Sequence, residues 1–313
     1  MMNIRFYTVD ADPPRWVGSL QAHLPAARIT THPDGAGVQA DYAVCWKPPA
    51  DFFDGQQQIK AVFNIAAGVD YLLAHPAVQS GYLREVPIVR LGDAGMAEQM
   101  EEYVLAAALR WQRKFDLYAA QQRAGQWIML PPTKREHVTV GVLGLGVLGA
   151  HVAQSMARFG FAAAGWSQSA KQIDGVDCYA GARGLGEFLA RTHVLVCLLP
   201  LTHSTQGILN RANLARLPQG AHVINIGRGA HLVEGDLIAL LDTGHLGGAT
   251  LDVFPAEPLP AASALWTHPK VLITPHVSAS TLREESMAQI AAKIRAFERG
   301  EALTDVVDRA KGY

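Results

Sequence analysis

Cysteine is scarce. The 313 residues contain three, Cys45, Cys178 and Cys197, an odd number with no C-x-x-C pair. Neither a disulfide framework nor a structural zinc site is expected, no other metal-ligand cluster is evident, and a reducing, cytoplasmic setting fits best. Charge of one sign is lacking too. Lys and Arg total 27 against 28 Asp and Glu, a formal net charge of -1. With no basic excess to displace counterions, a nucleic-acid partner is not expected. Long apolar runs are also missing. The most apolar stretch, residues 138–153, is interrupted by four glycines and is too short to span a bilayer, so no membrane partner is expected. The first residues carry acids and prolines where a secretion signal has an apolar core.

What is present is a globular balance, 49% hydrophobic and 18% charged, in a chain long enough for two domains. Over the first ~95 residues, short apolar runs at 4–9, 42–46, 61–65 and 88–91 read as buried parallel strands, with a helix at 16–23 and linkers rich in Pro and Gly. A long helix is expected over 96–123. A loop follows at 125–134. Beyond it, strands are expected at 139–143, 162–166, 194–199, 222–226, 249–253 and 271–274. Helices are expected at 148–159, 184–191, 213–217 and 234–242, and a last one from 282 to about 299. Six strands with intervening helices predict an α/β, doubly wound parallel sheet.

Its first turn reads Gly144-Leu145-Gly146-Val147-Leu148-Gly149, a G-x-G-x-x-G after an apolar strand and opening a helix. The first glycine allows the tight turn, the second lets backbone approach a pyrophosphate, and the third lets helix pack on strand. The helix N-terminus offers free N–H groups to the phosphates. At the end of the next strand, where an NAD-binding chain usually carries an acid, the residues are Ser167-Gln168-Ser169-Ala170-Lys171. Nothing there repels a 2′-phosphate, and Ser167, Ser169 and Lys171 are candidate donors to it. NADPH is therefore the expected cofactor, with NADH also accepted.

Arg228, Glu257 and His276 each follow an apolar strand of the same sheet. In a doubly wound sheet the ligand crevice lies at the carboxyl ends of the strands, so one fold points all three toward it. An imidazole that donates a proton, a carboxylate that holds its tautomer and charge, and a guanidinium that pairs with a carboxylate suit carbonyl reduction.

Taken together, the glycine fingerprint, Asn225-Ile226-Gly227-Arg228-Gly229, Leu251-Asp252-Val253-Phe254-Pro255-Ala256-Glu257-Pro258 and Thr274-Pro275-His276 make the chain similar to the D-2-hydroxyacid dehydrogenase family. Within it, Trp46-Lys47-Pro48-Pro49, Ala67-Gly68-Val69-Asp70 and the 93–103 segment resemble bacterial reductases of glyoxylate and hydroxypyruvate. The resemblance implies reduction of those 2-keto acids to glycolate and D-glycerate, with Arg228, Glu257 and His276 catalytic. It implies substrate contacts at Trp46, Gly68, Val69 and Arg228. Cofactor contacts are expected at residues 144–149, at Ser167, Gln168 and Lys171, and at Leu199, Pro200, Ile226 and Asp252. It further implies a Rossmann-like nucleotide-binding domain, residues 99–279, inserted in a flavodoxin-like substrate domain, residues 1–98 with 280–313, and a homodimer. Gln168 stands where that branch commonly has an arginine, which removes a guanidinium from the expected 2′-phosphate site. Reduction of another 2-keto acid, or a dehydrogenase-like nucleotide-sensing role, are the alternative functions.

Overall fold

The computed structural model describes residues 1–35 and 37–313. These form two compact units, one of Met1–Gly95 with Thr281–Tyr313 and one of Met96–Ser280. The first runs β1 (Asn3–Tyr7), α1 (Pro13–His23), β2 (Arg28–Thr31), β3 (Tyr42–Cys45), β4 (Ala61–Asn64), α2 (Asp70–Leu73), α3 (Pro76–Gln79) and β5 (Ile88–Val89). The second continues through α4 (Met96–Gln112), α5 (Phe115–Arg123), β6 (Thr139–Leu143), α6 (Val147–Phe159), β7 (Ala162–Ser167), β8 (Asp177–Ala180) and α7 (Gly181–Arg191). It then adds β9 (Val194–Cys197), α8 (Arg211–Leu214), β10 (Ala221–Asn225), α9 (Glu234–Asp242), β11 (Leu246–Leu251) and β12 (Val271–Ile273). The chain returns to the first unit with α10 (Arg283–Glu298).

Among the described residues the first unit holds a five-stranded sheet, order β2-β1-β3-β4-β5, and the second a seven-stranded sheet, order β12-β11-β10-β9-β6-β7-β8. Every pairing is parallel. The α/β class and doubly wound parallel arrangement are as expected from the sequence.

The central strands of the larger sheet are buried on both faces, which is why they read as unbroken apolar runs. Alternate residues feed two cores. Val140, Val142, Val194 and Val196 pack with α4 and α6, whereas Leu143, Leu195 and Cys197 pack with α7 and α9. Each such aliphatic side chain contributes roughly 1.5–3 kcal/mol by leaving water. In the smaller unit α10 lies along α1 and buries Met287, Ile290, Ala291 and Ile294. Its Glu298 accepts a hydrogen bond from the Tyr42 hydroxyl and pairs with Lys60 at 3.2 Å, tying the helix to β3.

Three features depart from the expected elements. β2 and β8 were not anticipated. Both are edge strands, Arg-Ile-Thr-Thr and Asp-Cys-Tyr-Ala, with no fully buried residue and hence no apolar run. The helix expected over 96–123 is two helices. The Lys114 N–H closes on the Trp111 carbonyl at 2.9 Å, and Lys114 itself takes a left-handed φ of 59°. Helical side-chain spacing continues across this break, so periodicity alone does not reveal it. The expected helix at 213–217 begins instead at Arg211, where Asn210 Oδ1 caps the Asn213 N–H at 3.1 Å.

One core histidine couples the fold to pH. His222 on β10 is buried, its Nε2 faces Thr250 Oγ1 at 2.9 Å, and its Nδ1 has no partner among the described residues. Burial pushes its pKa down to about 4. The unfolded imidazole protonates near pH ~6.5, so the stability this residue confers is complete above that value. It is lost as pH falls from about 6.5 to about 4, by roughly 3 kcal/mol in all. Urea unfolding of wild type and His222→Gln at pH 7 and pH 4.5 checks this. The variant is expected to lose less on acidification, and equal losses would assign the acid sensitivity elsewhere.

Candidate active site

In the larger sheet the strand order reverses between β6 and β9, and the loops leaving these strands flank that switch point. The loop after β6 is the glycine fingerprint. Gly144 has φ 103°, and a Cβ there would lie 2.7 Å from the Leu198 carbonyl oxygen. A Cβ on Gly149 would lie 1.8 Å from the Gly144 carbonyl oxygen, so only glycine lets α6 start this close to β6. Gly146 differs. Its φ is ordinary and a Cβ would meet nothing within 4 Å. The protein's own packing does not require a glycine there, whereas a phosphate approaching the backbone does. The residues present thus fit a dinucleotide.

The remaining expected cofactor residues fall around the same edge. Val147 is exposed and Leu148 half-buried at the start of α6. Leu145 is buried and its side chain fills the space beside Gly165. Leu199 is buried and Pro200 half-buried after β9, and Ile226 is buried after β10. After β7, Ser167 is half-buried while Gln168 and Lys171 are exposed. The Ser167 hydroxyl donates to the Ser169 carbonyl at 2.7 Å, so its proton is already committed. Beyond this loop a surface hollow of about 480 Å³ is lined by Lys171 together with Asp174 and Asp177.

Arg228, Glu257 and His276 follow β10, β11 and β12, three consecutive strands of the sheet. The Arg228 backbone is held from both sides. Its N–H donates to His231 Nδ1 at 3.1 Å, and its carbonyl accepts from Asn225 Nδ2 at 3.1 Å. His231 and Asn225 are fully buried. Because His231 Nδ1 accepts, its proton sits on Nε2, which faces the Pro200 carbonyl at 3.3 Å. The Arg228 guanidinium donates from Nη1 to the Gly227 carbonyl at 2.8 Å. A Cβ on Gly229 would lie 1.9 Å from the Phe254 carbonyl carbon, so this glycine lets the arginine turn lie against the loop that carries Glu257.

Glu257 Oε2 faces His276 Nδ1 at 2.9 Å, and its Oε1 accepts the Phe254 N–H at 3.0 Å. The carboxylate therefore fixes the Nδ1–H tautomer and leaves Nε2 as the ring nitrogen open to exchange. The imidazole is about half exposed. His276 sits at φ 55°, a conformation a side chain other than glycine rarely takes. Asp252 holds it there. The Asp252 carbonyl accepts the His276 N–H at 2.9 Å. Its carboxylate accepts from the Thr274 hydroxyl at 2.5 Å and from the N–H groups of Val277 and Ser278, each at 2.8 Å. Asp252, also an expected cofactor contact, is fully buried, and its carboxylate holds this loop. Its neighbours in this role, Asn225, His231 and Thr274, were not singled out from the sequence. Each acts through an intramolecular contact that no spacing rule announces.

In the smaller unit Trp46 is half-buried just past β3, with the Lys47 ammonium 5.6 Å from its ring centre. Gly68 and Val69 lie in the turn after β4. Fully buried Asn64 donates from Nδ2 to the carbonyls of Ala66 and Gly68, at 2.7 and 3.0 Å, and accepts a hydrogen bond from the Tyr71 hydroxyl on Oδ1. With those carbonyls turned to Asn64, the N–H groups of Gly68 and Val69 have no protein partner among the described residues. Among the described residues, no group of three or more His, Cys, Asp or Glu side chains is placed to hold a metal ion.

A fingerprint turn at the switch point, with an imidazole–carboxylate pair and a guanidinium on the same sheet edge, is the layout of an NAD(P)-binding oxidoreductase. Comparison with known proteins narrows it. The family model described as D-isomer specific 2-hydroxyacid dehydrogenase, NAD binding domain, matches residues 105–278. The chain is 46% identical over 313 residues, all of both chains, to the glyoxylate/hydroxypyruvate reductase A of Serratia proteamaculans. It superposes with a TM-score of 0.93 at 39% identity on a D-isomer specific 2-hydroxyacid dehydrogenase of Xanthobacter autotrophicus in complex with NADPH and MES, covering 100% of this chain and 99% of that one. With the NADPH-dependent glyoxylate/hydroxypyruvate reductase of Sinorhizobium meliloti, solved with NADP and sulfate, the TM-score is 0.91 at 37% identity over 100% of both chains. The chain belongs to the D-isomer specific 2-hydroxyacid dehydrogenase family, as its motifs implied.

Proposed function

We propose that this protein reduces glyoxylate and hydroxypyruvate to glycolate and D-glycerate with NADPH. The observation that carries the chemistry is the His276–Glu257 pair at 2.9 Å on the edge that also presents Arg228. The substrates follow the full-length relatives. When bound, the reduced nicotinamide supplies a hydride for the keto carbon. His276 gives a proton from Nε2 to the forming alkoxide. Glu257, at Nδ1, fixes the tautomer and offsets the imidazolium charge. Arg228 pairs with the substrate carboxylate and polarises the carbonyl. The open N–H groups of Gly68 and Val69 suit a carboxylate, and Trp46, at the end of the neighbouring strand β3, offers an apolar surface. The unit of Met1–Gly95 and Thr281–Tyr313 is thus the substrate domain, and Met96–Ser280 the nucleotide domain. The test is spectrophotometric: NADPH oxidation with glyoxylate, hydroxypyruvate and pyruvate. Turnover of neither of the first two sinks the proposal.

NADPH preference rests on the absence of a carboxylate between Ser167 and Lys171. Lys171 is the cation of this loop, and it lines the adjoining hollow together with Asp174 and Asp177. A preference of about 10- to 100-fold over NADH is expected, from roughly 1–3 kcal/mol of charge-assisted contacts. Ser167→Asp is expected to reverse it, because a carboxylate accepts from the ribose 2′-hydroxyl and repels a 2′-phosphate. The ratio of kcat/KM for the two cofactors, before and after substitution, is the measurement. A wild-type enzyme that uses NADH as well as NADPH would show that this loop does not read the ribose.

We also propose a homodimer in the cytoplasm. The three cysteines are free thiols, which suits a reducing compartment. Phe115, Leu117, Trp127, Ile128 and Met129 form an apolar segment of the larger unit left in solvent, with Trp127 fully exposed. Light scattering is expected to give twice the chain mass for wild type and a shift toward the single-chain mass for Trp127→Glu. A monomeric wild type rules the dimer out.

A further inference from the structure

Tyr103 lies on α4, far along the chain from the proposed proton donor, yet a directed series of hydrogen bonds joins the two. The Tyr103 hydroxyl and Thr274 Oγ1 are 2.6 Å apart. Thr274 Oγ1 donates its own proton to Asp252 Oδ1 at 2.5 Å. One hydroxyl has one proton to give, so Tyr103 is the donor in the first bond and Thr274 the acceptor. Asp252 then accepts the backbone N–H groups on the far side of His276, from Val277 and Ser278, while its carbonyl takes the N–H of His276 itself. The histidine occupies a left-handed φ of 55°. Such a conformation persists only where surrounding contacts over-determine it.

We propose that Tyr103 is a positioning residue for proton transfer: its phenol fixes Thr274, Thr274 fixes Asp252, and Asp252 fixes the loop that presents His276. This rests on the reading of His276 as the proton donor. Two further facts support it. Burial pushes the Tyr103 phenol up to about 12, so it keeps its proton throughout the working range. Its ring packs with the apolar side chains between α4 and α6, so a phenylalanine would preserve the packing and remove the hydroxyl alone. Without that donor, the Thr274 hydroxyl is free to turn from Asp252, and the loop loses one of the bonds that hold it.

The experiment is steady-state reduction of glyoxylate by NADPH in the full-length protein, with thermal melting alongside. Tyr103→Phe is expected to lower kcat about fivefold to twentyfold, while KM for glyoxylate and KM for NADPH stay within about twofold and melting changes little. Thr274→Val is expected to match or exceed that loss, and Thr274→Ser, which keeps the hydroxyl, to restore most of it. The double variant Tyr103→Phe/Thr274→Val is expected to be no worse than Thr274→Val, because the two groups act as one series. In a His276→Asn background, Tyr103→Phe is expected to cause no further loss of the residual rate. An unimpaired Tyr103→Phe beside a crippled His276→Asn removes the positioning role alone. Multiplying losses in the double variant, or parallel falls in kcat, KM and melting temperature, also overturn it. Normal turnover by His276→Asn removes the proton-donor reading, and the positioning role with it.

Discussion

Arg228→Ala is expected to lower kcat/KM for glyoxylate by about 10²- to 10⁴-fold, equivalent to roughly 3–5 kcal/mol of lost transition-state stabilisation. The size follows from the two tasks proposed for one guanidinium. It forms a charge-assisted pair with the substrate carboxylate, and it faces the oxygen on which negative charge develops. Neither is replaced by water at the same geometry. The backbone of Arg228 is held by His231 and Asn225, bonds that the alanine variant keeps, so it should fold and bind cofactor much as wild type. Arg228→Lys is expected to recover only part of the loss, because an ammonium keeps the charge but not the planar fork. NADPH affinity by fluorescence titration and glyoxylate turnover, measured together, test this. Near-normal turnover by the alanine variant would end the assignment.

His276→Ala is expected to lower kcat by about 10²- to 10⁴-fold, the usual worth of a positioned acid. In the proposed step the proton comes from the imidazole, so an alkaline fall in rate is expected of wild type and its loss is expected in the variant. Glu257→Gln is expected to do less harm. It keeps a hydrogen-bonding partner at Nδ1 but withdraws the negative charge that faces the ring at 2.9 Å. The measurement is the pH dependence of kcat for all three proteins. An alkaline limb that persists unchanged in His276→Ala means that another group gives the proton.

Much of this arrangement can be read from residues alone because the relevant signals are local. The G-x-G-x-x-G turn announces itself by contact distances that only glycine satisfies, such as 1.8 Å from a Gly149 Cβ to the Gly144 oxygen. Arg228 and Glu257 follow the buried strands β10 and β11, and His276 follows the half-buried edge strand β12, whose Val-Leu-Ile run is still apolar and therefore conspicuous. Where signals are not local, reading from the sequence fails. β2 and β8 are half-covered edges whose residues carry no apolar pattern. The break at Lys114 needs neither glycine nor proline and leaves helical spacing undisturbed. Asp252 stands out as a strand end at the crevice, but its hold on the His276 loop does not. The partners in that role, Thr274, Val277 and Ser278, lie more than twenty residues further on and come to it only once β12 has docked on β11.

The route of the chain through its two units carries a consequence for biosynthesis. A nascent chain usually completes its domains in the order they are made. Here the ribosome delivers β1 to β5 first, but the helix that buries Met287, Ile290, Ala291 and Ile294 alongside α1 comes last. All of Met96–Ser280 is translated in between, on the order of tens of seconds of synthesis. During that interval the contiguous middle unit has every strand it needs, while the first sheet and α1 wait without the helix that packs along α1. The middle unit is thus expected to fold first, and the growing chain to offer chaperones the apolar flank of α1 until α10 clears the exit tunnel.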